Sequence, residues 1–146
     1  MATQNLQHPT RMKAIRQSIR QFVMQKIAGF NADQEEFVFI APAKCRITSA
    51  KIVSDTGSAT STNTNKWTLD LQNKSESDDS LCSTPQATYQ DSAVNEWTED
   101  TEWDLAVDQN NDLDAGDVIE LVITKGGTAT SQATAEFVIM IEYVLK

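Results

Sequence analysis

The chain has 146 residues, 40% of them apolar and 23% charged, enough for one domain with a core of its own and unlike the composition of a disordered protein. A net charge of −9 argues against sequence-independent binding of DNA or RNA by the whole chain and favours solubility. Two cysteines, Cys45 and Cys82, make no secreted framework; they read as free thiols, with one disulfide between them left open.

Charge divides the chain sharply. Residues 1–32 hold Arg11, Lys13, Arg16, Arg20 and Lys26 and no acid, whereas all 21 acidic residues lie at position 33 or later. The break predicts a basic arm over 1–32 and an acidic domain over 33–146. In the arm Met12, Ile15, Ile19, Phe22, Val23 and Ile27 recur at steps of three and four, the spacing of one helix face. Thr10 follows Pro9 at the N-cap position and Gly29 stands at the stop, so a helix is predicted over residues 11–28. Such a helix must bury its apolar face, either on its own domain or on another subunit. The second reading makes Met12, Ile15, Arg16, Ile19, Arg20, Phe22, Val23 and Ile27 the partner-docking set. A membrane-surface helix or a transit peptide shares the same basic, acid-free character. The charges interrupt any apolar signal region, and no run reaches the roughly 20 apolar residues that span a bilayer, so the expectation is a soluble protein made in a cytoplasm.

Past Asp33 the period changes from 3.6 to 2. Phe37-Val38-Phe39-Ile40-Ala41, closed by Pro42, reads as a strand. Residues 46–53 follow, and the poor alternation between Ile47 and Ile52 predicts a bulge or a bend. Trp67, Leu69 and Leu71 point one way, with Thr68, Asp70 and Gln72 facing water. Trp103, Leu105 and Val107 repeat that pattern. Residues 117–124 are almost continuously apolar, which suits the middle of a sheet. Residues 133–145 make the longest strand, with Phe137, Ile139, Ile141, Tyr143 and Leu145 in one row. Residues 54–65 are a polar connector, residues 113–117 a turn, and Lys125-Gly126-Gly127-Thr128 opens a hairpin between the last two strands. Residues 74–101 fit least well. They hide short strands or form an outward loop, with Tyr89 and Trp97 as anchors. The fold class is therefore mainly β: an antiparallel β-sandwich, jelly-roll or Greek-key, with an N-terminal amphipathic helical arm.

Catalytic material is scarce. The one histidine, His8, lies on the arm, which excludes a Ser-His-Asp or Cys-His system in the body. Glu96, Glu99, Asp100, Glu102 and Asp104 read as a solvated acidic face rather than a glycosidase pair. No phosphate-cradling glycine loop or dinucleotide fingerprint occurs. Asp108, Asn110, Asp112 and Asp114 alternate as in a calcium loop. However, Leu113 occupies the turn-glycine position and Ile119 that of the bidentate Glu, so a polar turn is the reading and no metal or cofactor is expected. Tyr89, Trp97 and Trp103 could form a stacking platform for carbohydrate; as large aromatics they read first as core or loop anchors.

Three segments resemble the small capsid decoration (cement) and head-fibre proteins of tailed bacteriophages: Cys45-Arg46-Ile47-Thr48-Ser49-Ala50-Lys51-Ile52-Val53; Lys66-Trp67-Thr68-Leu69-Asp70-Leu71-Gln72-Asn73; and Leu113-Asp114-Ala115-Gly116-Asp117-Val118-Ile119-Glu120-Leu121 with the Gly-Gly turn and terminal strand after it. The resemblance spans residues 37–146, while the arm and residues 74–101 depart from the family's pattern. It implies a non-enzymatic virion protein, assembled in the host cytoplasm and seated outside a head shell. There it would bridge major capsid protein subunits, often as a homotrimer, without touching nucleic acid or membrane. The alternative is a carbohydrate- or cell-surface-binding sandwich.

Overall fold

The structure is a computed structural model that describes residues 20–108 and 111–146. Six strands carry the frame: β1 (Arg20–Ile27), β2 (Gln34–Ile40), β3 (Cys45–Ser54), β4 (Trp67–Asn73), β11 (Val118–Lys125) and β12 (Phe137–Leu145). Between β4 and β11 run six two-residue strands: β5 (Asp79–Ser80), β6 (Gln86–Ala87), β7 (Tyr89–Gln90), β8 (Ala93–Val94), β9 (Trp103–Asp104) and β10 (Asp112–Leu113). The first sheet has the order β1-β12-β3-β10, with β9 also on β3. The second has β2-β11-β4-β5, with β6 also on β4. Every pairing is antiparallel, and β7 and β8 form a separate hairpin.

Period-two patterning explains the frame. Alternate residues of β12, from Phe137 to Tyr143, are buried, and those of β4 include Trp67, Leu69 and Leu71. Both β11 and β12 sit at the centre of their sheets, as their apolar content predicts. The irregular strand β3 carries its bulge at Thr48: Ser49 pairs with Glu142 and Ile47 with Tyr143. Thr48 Oγ1 donates to Glu142 Oε1 at 2.7 Å across that irregularity. The two sheets share one core, closed at one end by rings from both layers. Phe30 stacks on Phe137 at 4.8 Å and meets Trp67 edge-on at 4.7 Å, and Trp97 packs on Phe137 and Trp103.

The helix expected over residues 11–28 is overturned for residues 20–28: Arg20–Ile27 is strand β1, paired along all eight residues with β12. Phe22, Val23 and Ile27 satisfy a helical period, but Val23 and Ile27 also share a strand face, and the long free edge of β12 decides between them. The remainder of that helix, with Met12, Ile15, Arg16 and Ile19, lies outside the described residues. Gly29 does not stop a helix. A side chain there would meet the backbone carbonyls of Gln132, Ala133 and Ala135, so close approach explains it.

Two further expectations change. Gly126 and Gly127 do not open a hairpin, because β11 and β12 belong to different sheets and residues 126–136 cross between them. Asp70 does not face water. It is buried, accepting from Ser80 Oγ at 2.5 Å and Gln72 Nε2 at 2.7 Å, because β5 pairs beside β4, with Ser80 opposite Gln72, and brings that hydroxyl to the carboxylate. Residues 74–101 hold a 3-10 turn and β5 to β8. Asp91 and Ser92, both at positive φ, form the two-residue turn between β7 and β8.

Candidate docking surface

Strand β1 has two rows. Gln21, Val23, Gln25 and Ile27 turn toward the second sheet. Ile27 is a core residue, Val23 packs against the core, and Gln21 Oε1 accepts from the Tyr143 hydroxyl at 2.9 Å. Arg20, Phe22, Met24 and Lys26 turn out, leaving Phe22 57% and Met24 70% exposed. The register sets Met24 beside Met140, and Met140 beside Lys51 of β3; Lys26 lies beside Val138, and Val138 beside Val53. Met24, Val53, Val138 and Met140 line a shallow depression of about 300 Å³, with Lys51 and Glu102 at its margin.

Ion pairs border this apolar face. Arg20 reaches Glu142 at 3.2 Å, Lys26 reaches Glu136 at 2.6 Å and Lys51 reaches Glu102 at 2.6 Å. The hydrogen bond to Glu102 raises the Lys51 pKa and keeps that margin charged. Exposed pairs of this kind add little stability; they orient charge around an apolar centre.

A second apolar surface lies at the edge where β1 and β2 run side by side. Phe37 is 63% and Ile40 64% exposed. Gln25 Nε2 donates to the Phe37 carbonyl at 2.7 Å, tying the two edges together. Val23, Phe37, Phe39, Ile40 and Tyr143 line a groove of about 450 Å³ between them.

The residues singled out for docking therefore divide. Arg20 and Phe22 stand on the outer face and Val23 at the groove. Ile27 faces the core and offers nothing to an outside partner while the domain is folded. Sequence reasoning missed Met24, Phe37, Ile40, Val138 and Met140. Four successive apolar residues at 37–40 were the available signal, since one face of a strand cannot take them all. A bulge in β2 at Val38 turns Val38 and Phe39 both inward and leaves Phe37 and Ile40 out.

Several of the residues considered for other chemistries are engaged within the fold. Asp112 is held by Arg46 at 2.7 Å and Lys146 at 2.8 Å, with Lys146 and then Arg46 lowering its pKa, and Asp114 pairs with Lys44 at 3.7 Å. Asp117 accepts from Asn73 Nδ2 and from the Asp114 amide. Among the described residues no group of three or more His, Cys, Asp or Glu side chains could hold a metal ion. Cys45 and Cys82 are free and buried, and burial pushes their pKa values up to about 11 and about 12. Trp97 and Trp103 are buried anchors whose Nε1 groups donate to the Thr56 and Asn95 carbonyls, both at 3.1 Å; they present no stacking face. One buried acid, Glu120, is answered by Lys74 Nζ at 3.0 Å as an ion pair rather than an aligned hydrogen bond. Among the described residues no helix is long and apolar enough to cross a membrane.

No protein-family model and no curated protein sequence matches the chain. Among solved structures it is similar to a chain of the cyanophage Pam1 capsid asymmetric unit, with a TM-score of 0.51 and 7% identity over 87% of this chain and 85% of that one. It also aligns with a chain from the acidic stable capsid structure of Helicobacter pylori bacteriophage KHP30, with a TM-score of 0.47 and 10% identity over 88% and 90%. At these identities the first likeness is one of fold.

Proposed function

We propose that this chain is a non-enzymatic structural protein of a phage particle, which docks on the outside of the head and stabilises it by bridging coat subunits. The observation that carries this reading is the apolar outer face of the first sheet. Phe22 and Met24 lie exposed beside half-buried Val138 and Met140 within a border of ion pairs, on a fold shared with a chain of the Pam1 capsid asymmetric unit. The sheet orders and the alternation of β1, β2, β3 and β4 between the two sheets suit a jelly-roll sandwich. The sequence of residues 1–19 holds Arg11, Lys13 and Arg16 with Met12, Ile15 and Ile19 and no acid, a basic and apolar composition suited to the same coat surface. Arm and outer face then form one continuous contact, with the bases giving steering and register. The acidic body keeps away from packaged nucleic acid, and the working unit is a homo-oligomer, read as a trimer.

The reading is tested by cosedimentation with empty heads from the protein's source. Met24→Glu and Met140→Glu place charge in the apolar face at open or half-open positions. Each weakens head binding by about tenfold or more, since a buried methionine contributes about 1.5–3 kcal/mol. Deleting residues 1–19, which leaves every described strand in place, weakens it further. Full binding by all three proteins rules this docking surface out.

A further inference from the structure

The two sheets end differently on their two sides. At one side they finish in two-residue strands, β9 and β10 on β3, β5 and β6 on β4. Very short edge strands are one way proteins prevent edge-to-edge pairing. At the other side they finish in β1, eight residues, and β2, seven residues, and among the described residues no strand pairs along the outer edge of either, the Phe37 carbonyl of β2 accepting from Gln25 Nε2. Among the described residues five large apolar side chains stand out in solvent. Four of them, Phe22, Met24, Phe37 and Ile40, lie on these two strands. A long, apolar, open edge is a template for pairing with another strand.

The complement to each edge is the other. Strand β1 carries Arg20 and Lys26 and no acid; β2 carries Glu35 and Glu36 and no base. Residues 28–33 reverse the chain between them, and Gln25 reaches Phe37, so β1 and β2 run in opposite directions on the same side of the molecule. Rotation about an axis along the strands brings β1 of one copy against β2 of the next, antiparallel.

Side-chain alternation then selects the register, because outward residues must meet outward residues. We propose that the β1/β2 edge is the contact between copies of this chain. Strand β1 of one copy pairs with β2 of the next, with Lys26 opposite Glu35, Met24 opposite Phe37 and Phe22 opposite Ile40. The bulge at Val38 makes the third pair possible: with Val38 and Phe39 both turned inward, Ile40 returns to the outward row. On the inward row Gln25 falls opposite Glu36. A shift of two residues sets Met24 opposite Glu35 and leaves Phe22 and Phe37 as the one apolar pair. Cross-strand aromatic, apolar and opposite-charge pairs each favour the unshifted register. Within one copy Lys26 also contacts Glu136 at 2.6 Å and Glu35 lies 3.7 Å from Lys74, both at the surface, so these charges remain available to a neighbour. This inference deepens the homo-oligomer part of the proposed function and rests on it. Phe22 and Met24 take part in both contacts, whereas Met140 belongs to the coat-facing surface alone and Phe37 to the contact between copies alone, so variants at these two positions let the two readings fail separately.

Sedimentation equilibrium of the full chain, without heads, tests the pairing. The wild type is a discrete dimer or trimer, and Phe37→Asp raises its dissociation constant by about a hundredfold, as loss of a buried aromatic contact requires. Lys26→Glu and Glu35→Lys each weaken association, and the double exchange restores it. The double variant Met24→Cys with Phe37→Cys forms a disulfide between copies on mild oxidation. Neither single variant does, and buried Cys45 and Cys82 stay out of the reaction. Met24 and Phe37 point outward from different sheets, so the bond cannot form within one copy. A wild-type chain that stays monomeric, or an oligomer unaffected by Phe37→Asp, overturns the proposal. An oligomer without the disulfide overturns the register. Head binding retained by monomeric Phe37→Asp shows that the coat contact stands on its own.

Discussion

Phe30 decides whether β1 belongs to the body of the protein. It lies in the link between β1 and β2, only 2% exposed, with ring centroids 4.7 Å from Trp67, 4.8 Å from Phe137 and 6.3 Å from Trp97. Phe30→Ala removes a ring from between the two sheets and leaves the backbone of residues 28–33 without an anchor. Truncating a buried phenylalanine costs about 3–5 kcal/mol, against a total stability of about 5–15 kcal/mol for a domain. Midpoint temperature should fall by about 6–20 °C for a chain of this size. Urea unfolding followed by tryptophan fluorescence measures the loss directly, because Trp67, Trp97 and Trp103 are all buried and change environment together. Phe37→Ala serves as the control, since that ring is 63% exposed and its removal from a dilute, dissociated chain should cost less than about 1 kcal/mol. Equal losses for the two variants, or a loss below about 1 kcal/mol for Phe30→Ala, would refute the packing described.

Gly29→Ala should destabilise the fold by about 1–3 kcal/mol, seen in the same unfolding assay, because the new methyl group lies 2.7 Å from the Ala133 and Ala135 carbonyl oxygens. Lys74→Met should cost more than Lys26→Met in thermal unfolding: it strands the carboxylate of buried Glu120, whereas the partner of Lys26 is exposed. Cys45 and Cys82 should not react with a thiol reagent at pH 8 until the chain is unfolded. Their pKa values are raised from 9.0 to about 11 and about 12, so the unfolded chain loses these protons first. Their contribution to stability is complete below about pH 9 and is lost as pH rises through about 11 to 12; Cys82→Ala should flatten that alkaline decline.

The antiparallel framework was legible wherever a strand shows one face to the core and one to water. In β4, Trp67, Leu69 and Leu71 announce both the strand and its buried side, and the near-continuous apolar run of β11 announces a central position. The bulge in β3 was legible too, because Ile47 and Ile52 cannot share a face without one. Strand β1 was not. Its apolar residues fit two periods, and only the unsatisfied edge of β12, far away in sequence, chooses between them. The crossing of residues 126–136 was hidden for a related reason: two glycines signal a turn but not which sheet receives the next strand. Asp70 was misread because its partner Ser80 comes from a two-residue strand with no pattern of its own. Of the docking surface, Phe22 and Arg20 were found by a helical argument that does not hold. Met24, Met140, Phe37 and Ile40 needed the strand register and the Val38 bulge, both of them tertiary features.

The most direct test of a capsid role is quantitative mass spectrometry of purified phage particles from the protein's source, compared before and after surface proteolysis of intact heads. The proposed function predicts this chain in the particle at a fixed, high ratio to the coat protein, with its sequence accessible from outside. Absence of the chain from purified particles would contradict the proposed function.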